Sequence, residues 1–148
     1  MKYNEYKKEG YLLSTDPSKI QINVVHKFLS NSYWAKNIPV ELVKKSLDNS
    51  LCFSLFKQNK QIGFARLVTD YSTFAFLADV FILEKYRGIG LSKWMMEVIM
   101  NFPEVQELRT WILKTWDAHE LYEKYGFSAP KYPERVMEFS QLKNGYTK

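Results

Sequence analysis

One cysteine, Cys52, is all the thiol chemistry this 148-residue chain carries. It cannot form an internal bridge, which excludes a disulfide-stapled miniprotein and makes a reducing compartment the natural setting. Glycine and proline are sparse, at 6 and 5 residues, and form neither a linker nor a repeat, so collagen-like and low-complexity architectures are excluded too. No apolar run approaches the roughly 18 residues of a membrane helix, and the opening MKYNEYKKEG lacks a signal-peptide core, so a cytoplasmic protein with no membrane partner is expected. No carboxylate and histidine cluster has metal-ligand spacing, and Cys52 has no matched histidine, so neither a metal site nor a covalent acyl-enzyme is expected.

Charge of one sign is also scarce. The 21 Lys and Arg against 16 Asp and Glu leave +5, an excess that suits an anionic ligand. The pairs Lys7-Lys8 and Lys44-Lys45 are too short for a nucleic-acid arm, so no nucleic-acid partner is expected. What the chain does hold is apolar mass, 46% of residues with 16% aromatic, enough for one sizeable core and not two. A single domain over residues 1–148 is expected, as a monomer or a homodimer.

Local patterns divide the chain into short elements. Gly10 to Ser14 reads as a strand. Thr15 or Asp16 can cap a helix with Pro17 at its first position, carried by Ile20, Val24 and Phe28 and ending near Leu29. A loop with Tyr33 and Trp34 follows, then a helix opened by Pro39 and stopped by Asn49. Leu51 to Phe56 and Ile62 to Val68 read as a hairpin, and Phe74 to Leu83 as a central strand whose one charge is Asp79. Leu91, Trp94, Met95, Val98 and Ile99 mark a helix running toward Pro103, and Leu108 to Leu113 another strand. Asp117 can cap a helix through Tyr125 that Gly126 ends, and Arg135 to Phe139 reads as a last strand. The order predicts an α+β fold, a mixed sheet covered by helices on both faces.

Between the central strand and the next helix lies Arg87-Gly88-Ile89-Gly90-Leu91-Ser92. A glycine turn into a helix offers free backbone amides at a positive dipole end, a ready anion site. Lys93 stands where a dinucleotide fingerprint needs its third glycine, and no Gly-Lys-Ser/Thr triplet exists, so neither nucleotide motif is present.

The pattern Arg87-x-x-Gly90-x-Ser92 resembles the coenzyme A pyrophosphate loop, Arg/Gln-x-x-Gly-x-Gly/Ala, of the GNAT acetyltransferase superfamily. Downstream, Thr115-x-x-Ala118-x-x-Leu121-Tyr122-Glu123-Lys124-x-Gly126-Phe127 resembles that superfamily's Asn-x-x-Ala-x-x-Leu-Tyr-Glu-Lys-x-Gly-Phe segment. Ser32-Tyr33-Trp34, Gly63-Phe64-Ala65-Arg66 and Ala78-Asp79-Val80-Phe81 are similar to a small bacterial-type branch. Ser92 departs from Gly or Ala, and Thr115 from the Asn that commonly meets the pantetheine arm, yet both keep hydrogen-bonding groups.

The resemblance implies a mostly antiparallel sheet with one splayed parallel pair, and acetyl-CoA as co-substrate. Its pantetheine would meet the backbone at Phe81, Ile82 and Leu83 and the side chain of Thr115. Its pyrophosphate would lie on the amides of Gly88, Ile89, Gly90, Leu91 and Ser92, with Arg87 and Lys93 adding charge. Tyr122 would be the general acid. For the base, Asp79 is one candidate, with a carboxylate simply paired to Arg66 as the alternative; His119 is another, and loss of the proton to solvent a third. Tyr33, Trp34 and Arg66 would face the acceptor, expected to be a primary amine of a small molecule, with the aromatic pair either stacking on a cationic amine or closing the cleft as a hydrophobic plug. A protein or peptide amine, or a non-catalytic acyl-CoA-binding module, are the alternatives.

Overall fold

The computed structural model describes residues 2–142, 145 and 146. Strands β1 (Glu5–Lys8), β2 (Tyr11–Ser14), β3 (Leu51–Lys57), β4 (Lys60–Thr69), β5 (Phe74–Ile82) and β6 (Thr110–Leu113) lie in that order across one sheet. Pairing is antiparallel as far as β5, and parallel between β5 and β6. Four helices cover it: α1 (Ile22–Ser30), α2 (Val40–Asp48), α3 (Leu91–Met100) and α4 (His119–Glu123). The mixed α+β architecture expected from the order of elements is the one found.

Side-chain alternation sorts the apolar residues into a core on each face of the sheet. Phe53, Leu55, Ala65, Leu67, Ala75 and Leu77 pack with Trp94, Met95 and Ile99 of α3. On the other face Cys52, Phe64 and Phe81 meet Val25 and Leu29 of α1 and Val43 of α2. Each buried Val, Leu, Ile, Phe or Met among them contributes about 1.5–3 kcal/mol. Burial pushes the Cys52 thiol up to about 12, so it stays protonated and inert in this core.

Several boundaries differ from the expectation. The helix expected from Thr15 or Asp16 to Leu29 is divided. Asp16 accepts from the Ser18 amide at 2.9 Å and caps only a 3-10 turn, Pro17–Lys19. Ile20 and Gln21 are extended, and α1 starts afresh at Ile22 because Gln61 anchors it there. The fully buried Gln61 side chain accepts from the Gln21 backbone amide at 2.8 Å, and the Gln61 backbone amide donates to Gln21 Oε1 at 3.0 Å. Strand β1 was not expected, since its Glu-Tyr-Lys-Lys sequence on the sheet edge carries no apolar alternation. The last strand, Arg135 to Phe139, is not formed. A 3-10 turn at Pro133–Arg135 leads into coil with Val136, Met137 and Phe139 exposed, because among the described residues no strand lies beside it to pair with.

Two irregularities of β5 create the site. Its ladder with β6 ends at Leu77 opposite Leu113, while β5 runs on to Ile82. Against β4, Phe64 faces Phe81 and Arg66 faces Ala78, so Ala65 is opposed by both Asp79 and Val80. This is a β-bulge, and Asp79 takes φ +54° to make it. The extra residue shifts the alternation: Ala75 and Leu77 belong to the α3 core, whereas Phe81 belongs to the α1 and α2 core.

Candidate active site

Where β5 parts from β6 a cleft of about 1240 Å³ opens, walled by both strands, α2, the loop before it, and the segment from Lys114 into α4. Its floor is the β5 edge beyond Leu77. The Leu83 amide donates back to Ile62 O at 2.8 Å, so by strand alternation the Ile82 amide faces the open edge.

The glycine loop lies beside one end of the cleft, where Arg87 and Ser92 on either side of it line the wall. Gly88 and Gly90 have φ of +81° and +85°, and Gly90 is the N-cap of α3. Side chains rarely adopt that conformation, and a Cβ at either position would meet nothing within 4 Å, so the loop stands open rather than packed. The first amide of this stretch to find a backbone acceptor is that of Trp94, on Gly90 O at 3.1 Å; those of residues 88–93 have none among the described residues. Arg87 Nε donates to Ile82 O at 2.8 Å, which braces the loop against the end of β5, and Arg87 lines the cleft. Ser92 also lines it; Lys93 is exposed and its carbonyl accepts from the Tyr125 hydroxyl at 2.9 Å, tying α4 to α3.

Tyr122 stands in the middle. It is buried on α4, its ring packs edge-on to Phe127 at 6.1 Å, and it lines the cleft. Burial first, then the nearby Tyr33 and Asp117, push its phenol up to about 12. Thr115 lines the cleft beside it, and its hydroxyl accepts from the Ala118 amide at 3.0 Å, turning the chain into α4.

The other end is built around Asp79. Its Oδ2 accepts from Arg66 Nε at 2.6 Å and its Oδ1 from Trp34 Nε1 at 2.8 Å. Arg66 continues through Nη1 to the Ser50 hydroxyl at 3.1 Å. The carboxylate is thus in the ion pair with Arg66 that the sequence left open as an alternative to a base. Tyr33 closes the other side, its hydroxyl accepting from the Trp116 amide at 3.2 Å. His119 is exposed at the start of α4 and is not part of the cleft wall.

The structure therefore brings together Tyr122, Asp79, Arg66, Tyr33, Trp34, Phe81, Ile82, Arg87, Ser92 and Thr115 on one cleft, and leaves Leu83, Gly88, Ile89, Gly90, Leu91, Lys93 and His119 outside its wall. Sequence reasoning missed Trp116, 81% exposed on the cleft rim, and the cleft role of Asp117, which it read as a helix cap; the cap position of α4 falls instead on Ala118, whose amide donates to the Thr115 hydroxyl. The signal for Trp116 was a tryptophan in the polar turn between Thr115 and Asp117.

Comparison with known proteins agrees with this geometry. The domain family described as "Acetyltransferase (GNAT) domain" matches residues 48–129. A candidate acetyltransferase of Gibberella zeae is 30% identical over 138 residues, spanning 77% of this chain and 76% of that protein. A crystal structure of a candidate GNAT acetyltransferase from Xanthomonas campestris pv. campestris is 46% identical, covers 88% of this chain and 92% of its own, and superposes with a TM-score of 0.86. The Elizabethkingia anophelis GNAT acetyltransferase with acetyl-CoA bound shares the fold, with a TM-score of 0.64 at 15% identity over 93% of this chain and 92% of its own. A sheet that splays at the foot of a glycine turn, a tyrosine poised over the gap and these relatives converge on one assignment: the chain belongs to the GNAT acetyltransferase family.

Proposed function

We propose that the chain transfers an acetyl group from acetyl-CoA to the primary amine of a small molecule, by direct attack with both substrates bound. The observation that carries this reading is the run of unpaired amides from residue 88 to 93, at the head of α3 and the foot of the splayed strand. Such amides, with the helix dipole behind them and Arg87 beside them, suit a pyrophosphate, and the glycine conformations let it approach. The open β5 edge at Ile82 and the Thr115 side chain suit a pantetheine arm with amides of its own. The Elizabethkingia anophelis relative, with acetyl-CoA bound on the same fold, supports that choice of ligand.

Bound acetyl-CoA supplies the activated acyl group and a thiolate leaving group. The residues of this chain hold the amine nitrogen against the carbonyl, so that a C–N bond forms as the C–S bond breaks. Tyr122, kept neutral by burial, gives its proton to the departing sulfur and regains one from solvent. Asp79, with both oxygens engaged, fixes Arg66 and Trp34, and the proton of the amine leaves to solvent. The test is thermal shift with acetyl-CoA against its dephospho and desulfo analogues, followed by thiol release with a panel of amines. Stabilisation by acetyl-CoA with amine-dependent thiol release is expected. Stabilisation with no release across amines and peptides would make the chain a binding module instead.

A further inference from the structure

Three aromatic side chains stand in a row across the acceptor end of the cleft: Trp34, Tyr33 and Trp116. Adjacent rings meet edge to face, with centroids 5.1 and 5.9 Å apart. Their exposures are 43, 60 and 81%, a contiguous apolar rim rather than a scatter of single residues. The row is also held in place. Trp34 donates to Asp79, and the Tyr33 hydroxyl accepts from the Trp116 backbone, so the Trp34 and Tyr33 rings are oriented before anything binds. Preorganised rings lose little conformational freedom when a flat group stacks on them.

Charge narrows the occupant. The cleft wall carries Lys45, Arg66, Arg87 and Lys114 against Asp79 and Asp117. Asp79 is already consumed by Arg66, which leaves Asp117, next to Trp116 in the chain, as the carboxylate on the wall with no ion-pair partner among the described residues. One ammonium can be received there, on the same cleft wall that holds Tyr122. A polycation would find no second carboxylate and a surplus of like charge.

Resting on the acetyl-transfer reading of the same cleft, we propose that the acceptor is an arylalkyl monoamine: its ammonium approaches beside Asp117, its flat apolar body lies along the Trp34, Tyr33 and Trp116 row, and polyamines and aminoglycosides are rejected. Trp116 is then a specificity residue, and its high exposure is the unfilled half of a binding surface.

The experiment measures thiol release from acetyl-CoA by the full chain with phenethylamine and tryptamine, against hexylamine, putrescine, spermidine and a lysine peptide. The arylalkylamines are expected to exceed every other acceptor in kcat/KM by about tenfold or more. Trp116→Ala is expected to erase that gap by raising their KM about tenfold, a loss several-fold larger than any change in the hexylamine kcat/KM. A polyamine or the peptide as the better acceptor, or a Trp116→Ala loss shared equally by all amines, overturns the proposal. A second readout does not depend on turnover: phenethylamine should quench tryptophan fluorescence saturably in the wild type loaded with coenzyme A, with less quenching in Trp116→Ala. No saturable quenching also overturns it. Failure of acetyl-CoA to raise the melting temperature is a different result, since it removes the acetyl-transfer reading and this proposal with it, whereas preference for another amine removes this proposal alone.

Discussion

Replacing Tyr122 by Phe removes one oxygen and leaves the ring. The ring keeps its edge-on contact with Phe127 and its place in the α3 core, and no protein hydrogen bond to its hydroxyl is lost among the described residues, so stability should change by no more than about 0.5 kcal/mol. Activity should behave differently, and the size of the loss follows from proton affinities. The phenol lies at about 12, and a thiol resembling cysteine at roughly 8.5. Full transfer from this phenol to a free thiolate is therefore uphill by about 3.5 pKa units, on the order of 5 kcal/mol. Tyr122 thus acts chiefly as a hydrogen-bond donor while charge builds on sulfur, completing transfer only as solvent resupplies its proton. A donor of that kind belongs at the lower end of general-acid effects, about 10²-fold, or about 2.7 kcal/mol in the barrier. The assay is steady-state thiol release with acetyl-CoA and a turned-over amine, beside urea unfolding of both proteins. A kcat lowered about 10²-fold, with the acetyl-CoA KM and the urea midpoint nearly unchanged, is expected. An unchanged kcat, or a loss of activity that tracks a loss of stability, would refute the reasoning.

Other outcomes follow from the same geometry. Because burial favours the neutral phenol, the folded chain holds the Tyr122 proton more tightly than the unfolded chain; the associated stability is complete below about pH 10 and lost as pH rises toward about 12. Absorbance at 295 nm should show a late-titrating tyrosine that disappears in Tyr122→Phe, and its persistence in the variant would assign it elsewhere. Asp79→Asn should lower kcat/KM by disordering Arg66 and Trp34 yet keep the shape of the pH-rate profile, and His119→Ala should leave both alone; an acidic limb lost in either variant would identify that residue as the base. Gln61→Ala removes the anchor of α1 from a fully buried position and strands the Gln21 amide, so chemical denaturation should report a loss of about 2–4 kcal/mol, and a value under about 0.5 would mean water replaces the side chain.

The features legible in the sequence were the local ones. The glycine turn, the α3 stripe and the tyrosine of α4 declare themselves within a dozen residues, because positive φ, helical period and capping are properties of neighbours. Asp79 was visible as a lone charge in an apolar strand, but its hydrogen bond to Trp34 spans 45 positions and nothing in either segment announces it. The bulge that aims Asp79 is likewise a property of two strands, not one. The Arg135 to Phe139 segment failed for the converse reason: it has the composition of a strand, and a strand also requires a neighbour. Gln61 reads as a hairpin polar residue until α1 is seen to begin on it.

The supernumerary residue in β5 sets limits on how this protein can change length. Excising a single position between Ala78 and Phe81 would restore regular pleating and exchange the orientation of every side chain beyond it, turning Phe81 out of the layer it shares with Phe64 and misdirecting the backbone that leads into Arg87. Substitution at Asp79 costs two hydrogen bonds, but a one-codon deletion there inverts the wall of the cleft. Related chains should therefore vary in which amino acid fills the kink far more readily than in whether the kink exists.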